Sequence, residues 1–424
     1  MLTTAPIKLA YGRGHISLDL PCEAEIIEPH FVKGLPNEKA AFAEALERPV
    51  GVAPLTEWLS SNSKITIVFT DITRATPNER LIPWLLEVLT RVVPCENITL
   101  INGLGTHRPN SIEELNRLLT PHVVANYRVL NHEPENPDLL VEVGKTRTGH
   151  PALLNRALVE ADVRIITGFI EPHFFAGFSG GPKGIMPAVA GLRTVMKNHS
   201  GINLANPKAT FGVLEGNPIW EEMRDIALLA GPSFLINVTL NDRREITGVF
   251  AGDLINAHRQ GCAFVRETAM QPVEAAFDVV VTTNSGYPLD QNLYQAVKGI
   301  SAAARIIREG GTIIIAAECS DGVPYGSPYE RLLNHSPSFE EVFKFILDPT
   351  REEPEQWQVI VQMVVQRRAE VLLCSSLPDA TVTAAKMHPC HDIRAAIEER
   401  LERTGPHLRL AILPQGPLTI PYLR

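Results

Sequence analysis

The chain has 424 residues, 45% of them hydrophobic and 21% charged, with a formal net charge of −9. This length exceeds one ordinary core and predicts two domains, while the composition excludes disorder and fibrous repeats. The acidic balance argues against a nucleic-acid partner, although a local Arg/Lys cluster can still receive a small anion.

From residue 60 onward, short β-branched runs alternate with longer helical ones. Lys64–Phe69 (KITIVF) reads as a buried strand and Glu79–Val92 as an amphipathic helix opened by Pro77. Asn97–Ile101 is a second strand, and Ser111 with Glu114 forms a capping-box start. Val163–Gly168 is another strand and Ala188–Asn198 a short helix. Phe234–Thr239 and Glu245–Gly252 read as strands, followed by a helix from Leu254 to about Ala269.

The pattern restarts near residues 271–276. Phe277–Thr282 is a strand, Asn292–Arg308 a helix and Thr312–Ala317 a strand. Helices follow at Phe339–Leu347 and Gln356–Arg367, then strands at Val371–Cys374 and Leu408–Leu413. Such alternation predicts an α/β protein with two doubly wound, mostly parallel sheets and the active site in the interdomain cleft. The expected domains are 1–273 for cofactor and catalysis and 274–405 for capping the substrate. The tail 406–424 is left open to either sheet.

The six cysteines (Cys22, Cys95, Cys262, Cys319, Cys374 and Cys390) have no CxxC spacing, which fits a reducing cytosol. The N-terminal stretch lacks the apolar segment of a signal peptide, and no 18-residue apolar run predicts a membrane span. The expectation is a cytoplasmic protein without a membrane partner.

In open α/β sheets, ligands bind beyond the carboxyl ends of strands. Four polar loops fall there: DITRATP (71–77), NGLGTHRP (102–109), GFIEPHFFAGFSGGPKG (168–184) and SGYPLDQ (285–291). In the first, Asp71 and Thr73 either hold a phosphate or merely cap the turn, and Arg74 can grip a carboxylate with two parallel bonds. In the second, His107 has the side chain of a general base at neutral pH, or of an ordinary surface histidine.

The third loop places His173 between Pro172 and two phenylalanines. FSGGPKG then resembles a phosphate cradle but fails as a Walker motif, because Pro182 precedes Lys183 and Gly184 replaces the Ser/Thr. Lys183 remains a sharply positioned amine, suited to a covalent link or an anion contact. His199, in KNHSG, is either a helix-end histidine or a metal ligand. Tyr294, Gln295 and Lys298 share one helix, Tyr294 and Lys298 one turn apart, and Trp357 reads as core or pocket wall.

Taken together, DITRATP, the THRP loop, GFIEPHFFAGFSGGPKG, KNHSG, FAGD (250–253), GYPLDQNLYQAVKG, EGGTIII and PEQW resemble the nickel-pincer lactate racemase family. The resemblance implies nickel held by a sulfur–carbon–sulfur pincer on a pyridinium mononucleotide, attached to Lys183, with His199 as the protein ligand. It implies His107 and His173 as acid/base residues and Arg74, Tyr294, Gln295, Lys298 and Trp357 as substrate contacts. Asp71, Thr73, Ser179, Gly180 and Gly181 would hold the cofactor, and cofactor-biosynthesis proteins are implied partners. The implied reaction is racemisation of a 2-hydroxy acid by hydride removal and return, one histidine serving each face.

GGPKG lacks the basic residue before the lysine and the serine after it that lactate racemases carry, and ECSDGVPYGSPY (318–329) differs from the glycine-rich loop expected there. The substrate is therefore left open among lactate, malate, longer or aromatic 2-hydroxy acids, and sugar acids. Competing classes are a zinc hydrolase using His107, His173 and His199, a nicotinamide-dependent dehydrogenase, and a noncatalytic binding protein.

Overall fold

The computed structural model describes residues 6–348, 351 and 353–424. They divide into two compact units. One comprises Phe31–His199 and Lys208–Arg266, and the other the described residues of Met1–His30, Ser200–Pro207 and Glu267–Arg424.

The first unit is built on a six-stranded sheet. Its spatial order is Ile246–Asp253, Phe234–Leu240, Val163–Phe169, Ile65–Thr70, Ile98–Gly103 and Arg128–Asn131. All neighbours run parallel except the first pair, which is antiparallel. The central strands read ITIVFT and VRIITGF because they are covered on both faces; their β-branched side chains fit that setting. Phe69, Leu81, Leu85, Ile98, Leu100 and Phe234 form part of its core.

The helix Asn78–Leu89 buries Leu81, Ile82, Leu85, Leu86 and Leu89 on one face. Ser111 accepts from the Glu114 amide, and the Glu114 carboxylate accepts from the Ser111 amide, so the capping box forms. The expected helix 188–198 is shorter, Leu192–Asn198. The residues before it are committed to a tight turn at Gly181–Gly184 and to the Val189 amide donating to Ile185.

Chain order explains where this unit can bind. From Ile65–Thr70 the chain builds outward through Ile98–Gly103 to Arg128–Asn131, then returns to add Val163–Phe169 on the other side. The strand order therefore reverses between Ile65–Thr70 and Val163–Phe169, leaving a crevice at their carboxyl ends. Asp71–Pro77 and Ile170–Gly184 begin there.

The second unit carries a six-stranded sheet that is parallel throughout. Its order is His388–Pro389, Glu370–Cys374, Ile307–Ala316, Phe277–Thr283, Leu410–Leu413 and Glu25–Ile26. Leu410–Leu413 pairs with Phe277–Thr283, which gives the strand-like run of the tail its sheet. The N-terminal hairpin Ile7–Tyr11 and Gly14–Leu18 buries Ile7, Leu9 and Leu18 with Val279, Ile314 and Ile412.

The units therefore do not follow a single cut at residue 273. Residues of 1–30 find their apolar partners in the second core, and Met270–Val273 pairs with Ile420–Leu423.

Candidate active site

The first unit gathers its chemical residues at the reversal of strand order. Asp71 directly follows the central strand Ile65–Thr70 and is almost fully buried. Its Oδ1 accepts from the Thr73 amide at 2.7 Å, and its Oδ2 lies 3.1 Å from His107 Nδ1 and 3.9 Å from Arg74 Nε. Burial alone would raise the carboxyl pKa. The hydrogen bond from His107 and the Arg74 charge outweigh it and hold the group at about 2. An ionised carboxylate only accepts, so Nδ1 of His107 carries the proton and the Nε2 lone pair is left to act.

The loop that carries His107 is tied down by asparagines. Asn102 Nδ2 donates to Asn110 Oδ1 at 2.9 Å and to Asn131 Oδ1 at 3.0 Å, and Asn110 Oδ1 also accepts from the Ile72 amide. The neighbouring Arg108 is fully occupied by both oxygens of Glu114, at 2.6 and 2.8 Å. It is committed to the Glu114 carboxylate of the Ser111 capping box, whereas Arg74 of the Asp71 loop has only a long 3.9 Å contact to Asp71.

His173 stands in a two-residue strand paired with Gly177–Phe178. Its Nδ1 accepts from the Ala176 amide at 3.2 Å and from the Phe175 amide at 3.5 Å. An amide is only a donor, so neutral His173 carries its proton on Nε2. The two histidines thus hold opposite tautomers, neutral His107 protonated on Nδ1 and neutral His173 on Nε2.

Phe175 organises the remaining groups. Its ring stands edge-on to His173 at 4.5 Å and to His199 at 5.1 Å, with Lys183 Nζ 5.7 Å from its centroid. Lys183 sits in the tight turn Gly181–Gly184, and burial, reinforced by Arg74 and only partly offset by Glu171, lowers its amine to about 7. His199 caps the helix Leu192–Asn198 and is buried. Burial first, and the Lys183 charge second, depress its pKa to about 3, so its ring is neutral at pH 7 and able to ligate a metal.

Ser179 is occupied by its own loop: its hydroxyl donates to Phe169 O at 3.0 Å and accepts from the Glu171 amide at 2.9 Å. Thr76 Oγ1 and Asn78 Oδ1, at the foot of the Asp71 loop, are buried without a hydrogen-bond partner. Buried polar atoms are normally satisfied, so these two leave a polar demand for an occupant of the loop.

His107, His173 and His199 do not form a metal-binding triad. Among the described residues no three His, Cys, Asp or Glu side chains are placed to share an ion. Their nitrogens are turned to different partners, the Asp71 carboxylate in one case and backbone amides in another, so the three-histidine zinc reading is corrected.

The second unit holds the other expected residues. The Asn292 side chain caps the helix Leu293–Ala303 by accepting from the Gln295 amide at 3.0 Å. Tyr294, Gln295 and Lys298 are half-buried on it, and Trp357 Nε1 donates to the Tyr294 hydroxyl at 3.1 Å. Asp290, which the sequence alone does not single out, is fully buried and accepts from the Gly12 amide at 2.7 Å and the Glu318 amide at 3.0 Å, pinning SGYPLDQ. Its carboxylate lies hundreds of residues from one partner, a pairing no local pattern carries.

The chain is similar to known proteins along most of its length. Residues 11–212 match the lactate racemase N-terminal domain and residues 273–420 the lactate racemase C-terminal domain. The chain is 33% identical to a lactate racemase of Thermoanaerobacterium thermosaccharolyticum over 427 residues, covering 97% of this chain and 98% of that one. It is 36% identical to a lactate racemase of Lactiplantibacillus plantarum over 384 residues, covering 90% of each. The lactate racemase apoprotein structure from T. thermosaccharolyticum superposes with a TM-score of 0.90 at 32% identity, over 99% of this chain and 100% of that one. A Thermotoga maritima protein shares the fold at a TM-score of 0.64 and 20% identity, over 93% and 100% of the two chains.

Proposed function

Because the chain belongs to the lactate racemase family, we propose that it interconverts the enantiomers of a small 2-hydroxy acid, lactate first among them. The observation that carries this reading is the pair of oppositely protonated imidazoles, His107 and His173, at one reversal of strand order. A racemase must take a hydroxyl proton on one course and give one on the other, and these two tautomers supply a base and an acid.

The Cα–H of a 2-hydroxy acid is a poor acid, so loss of hydride is favoured once the hydroxyl is deprotonated. Arg74 grips the substrate carboxylate, and His107 Nε2 receives the hydroxyl proton while Asp71 stabilises the resulting imidazolium. As the carbonyl intermediate turns its other face and is reduced, His173 Nε2–H returns a proton to its oxygen. The proton then sits on His107 and is missing from His173, and exchange with solvent or the reverse reaction resets the pair.

The residues present fit a nickel-pincer nucleotide. His199 offers one neutral imidazole, and among the described residues no cluster of further His, Cys, Asp or Glu ligands joins it, which suits a metal whose other donors come from an organic group. Lys183, with its amine lowered to about 7, suits covalent attachment, and Thr73, Thr76 and the Gly180 backbone would hold the nucleotide. When bound, such a group would accept hydride from the substrate carbon and return it. Loading it calls for cofactor-biosynthesis proteins as partners.

Tyr294, Gln295, Lys298 and Trp357 are assigned to substrate binding on the family resemblance. The six unbridged cysteines support a reducing, cytoplasmic location, and no helix among the described residues is long and apolar enough to cross a membrane. A chirality-resolved screen of lactate, malate, aromatic 2-hydroxy acids and sugar acids on cofactor-loaded protein tests the reading. Racemisation of any of them supports it, and the absence of racemisation with every acid overturns it.

A further inference from the structure

The loop that presents Lys183 has an unusual backbone. Gly180 has φ +75° and ψ −167°, and Gly181 has φ +54°. Both lie where side-chain-bearing residues are strained, and such a conformation persists only when its surroundings over-determine it. The GGPKG segment does not supply those surroundings itself. They come from two buried polar residues far away in sequence.

Asn237, on the strand Phe234–Leu240, is 1% exposed and accepts from the Gly181 amide at 2.7 Å. His258, on the helix Asn256–Ala269, is fully buried and its Nε2 lies 2.9 Å from the Ser179 carbonyl. A carbonyl only accepts, so Nε2 carries the proton and donates. Cys262 Sγ lies 3.3 Å from the same nitrogen, and Nδ1 of His258 is buried without a hydrogen-bond partner.

Both side chains also close the space above the glycines. A Cβ on Gly180 would collide with Asn237 Oδ1, and one on Gly181 would collide with the His258 ring. The imidazole lies nearly parallel to the Trp220 ring, centroids 6.4 Å apart and planes 18° apart.

We infer that Asn237 and His258 are positioning residues that clamp the Ser179–Lys183 loop and thereby aim the Lys183 amine. Asn237 accepts a hydrogen bond from the Gly181 N–H and His258 donates one to the Ser179 C=O, so together they replace the ladder partners that the irregular backbone lacks. The buried ring with one unpartnered nitrogen is costly, and burial also drives its pKa down to about 4, so the ring stays neutral and the donor stays on Nε2 through the physiological range. The inference rests on Lys183 being the reactive amine of the proposed function, and it is independent of which substrate is turned over.

The test is the rate at which trinitrobenzenesulfonate labels Lys183 in the full-length protein produced without the cofactor pathway, at pH 7 and relative to exposed Lys145, read by peptide mass spectrometry. His258→Leu removes the donor and should change that ratio by about fivefold, the factor associated with one lost hydrogen bond. His258→Gln keeps an N–H within reach of Ser179 and should bring the ratio back toward wild type. A wild-type ratio in the leucine variant, or equal effects of leucine and glutamine, overturns the clamp.

A second measurement needs no variant. Hydrogen exchange in the unsubstituted protein should show the 179–183 segment protected well beyond the exposed residues 147–149. Equal exchange in the two segments overturns the inference. Because neither readout involves racemisation, their failure is distinguishable from failure of the racemase reading.

Discussion

His107 Nδ1 lies 3.1 Å from an almost fully buried Asp71 Oδ2, and this contact decides which end of the imidazole can do chemistry. The ionised carboxylate fixes the proton on Nδ1 and stabilises the cation that forms when Nε2 accepts a second one. Asp71→Asn keeps the shape and removes the charge. The expected loss in kcat is about 10²-fold or more, the scale of a general base. Steady-state kinetics across pH on cofactor-loaded protein provide the check.

The same carboxyl makes a stability prediction. Its folded pKa of about 2 lies below the ordinary 3.8, so the stabilisation is complete above about 4 and is lost as pH falls toward 2. The shift corresponds to about 2 kcal/mol. Urea unfolding at pH 6 and pH 3 should show wild type losing more stability than Asp71→Asn over that interval.

Lys183 makes a prediction of the same sign in a higher pH window. Its amine is lowered to about 7 in the folded chain, so it becomes nucleophilic about three units below an exposed lysine. Labelling rates measured from pH 5 to 10 should rise through about 7 for Lys183 and much later for Lys145. The folded protein binds fewer protons than the unfolded chain between these values, so this group favours folding increasingly as pH rises through that window.

His199 and Lys183 are assigned separate duties, one to the metal and one to the nucleotide. In protein produced with the cofactor pathway, His199→Ala should lose nickel by elemental analysis while keeping the added mass on Lys183. Lys183→Ala should lose the added mass. Loss of the mass in His199→Ala with nickel retained would reverse the assignments.

The two histidines are inequivalent, and that too is measurable. Because the equilibrium constant for interconverting enantiomers is one, kcat/KM must be equal for both at every pH. The separate kcat values need not be, and the opposite tautomers of His107 and His173 predict that they differ, with compensating KM. His107→Ala and His173→Ala should each lower racemisation by about 10²- to 10⁴-fold.

Much of the fold is legible in the chain itself. KITIVF and FDVVVT read as buried strands because β-branched runs between helical segments have few other uses, and both lie central in parallel sheets. The Ser111–Glu114 box announces its helix. The site loops are legible because they follow strands, and strand ends are where such sheets bind.

What escapes is non-local. Asn237 looks like one stray polar residue in FLINVTL, and His258 like a helix histidine, because the amide and carbonyl they serve are 56 and 79 residues away. The hairpin Leu140–Lys145 and Pro151–Asn155 lacks a strong turn signal, so its strands do not stand out in the sequence. The attachment of the N-terminal hairpin to the second core depends on partners such as Val279 and Ile412, which no local pattern discloses.

The central claim is tested most directly by following enantiopure D-lactate with cofactor-loaded protein, using chiral chromatography together with a pyruvate assay. The account predicts decay to equal amounts of the two enantiomers, conserved total lactate and no accumulating pyruvate. Unchanged enantiomeric purity with nickel and cofactor present, or stoichiometric conversion to pyruvate, would contradict it.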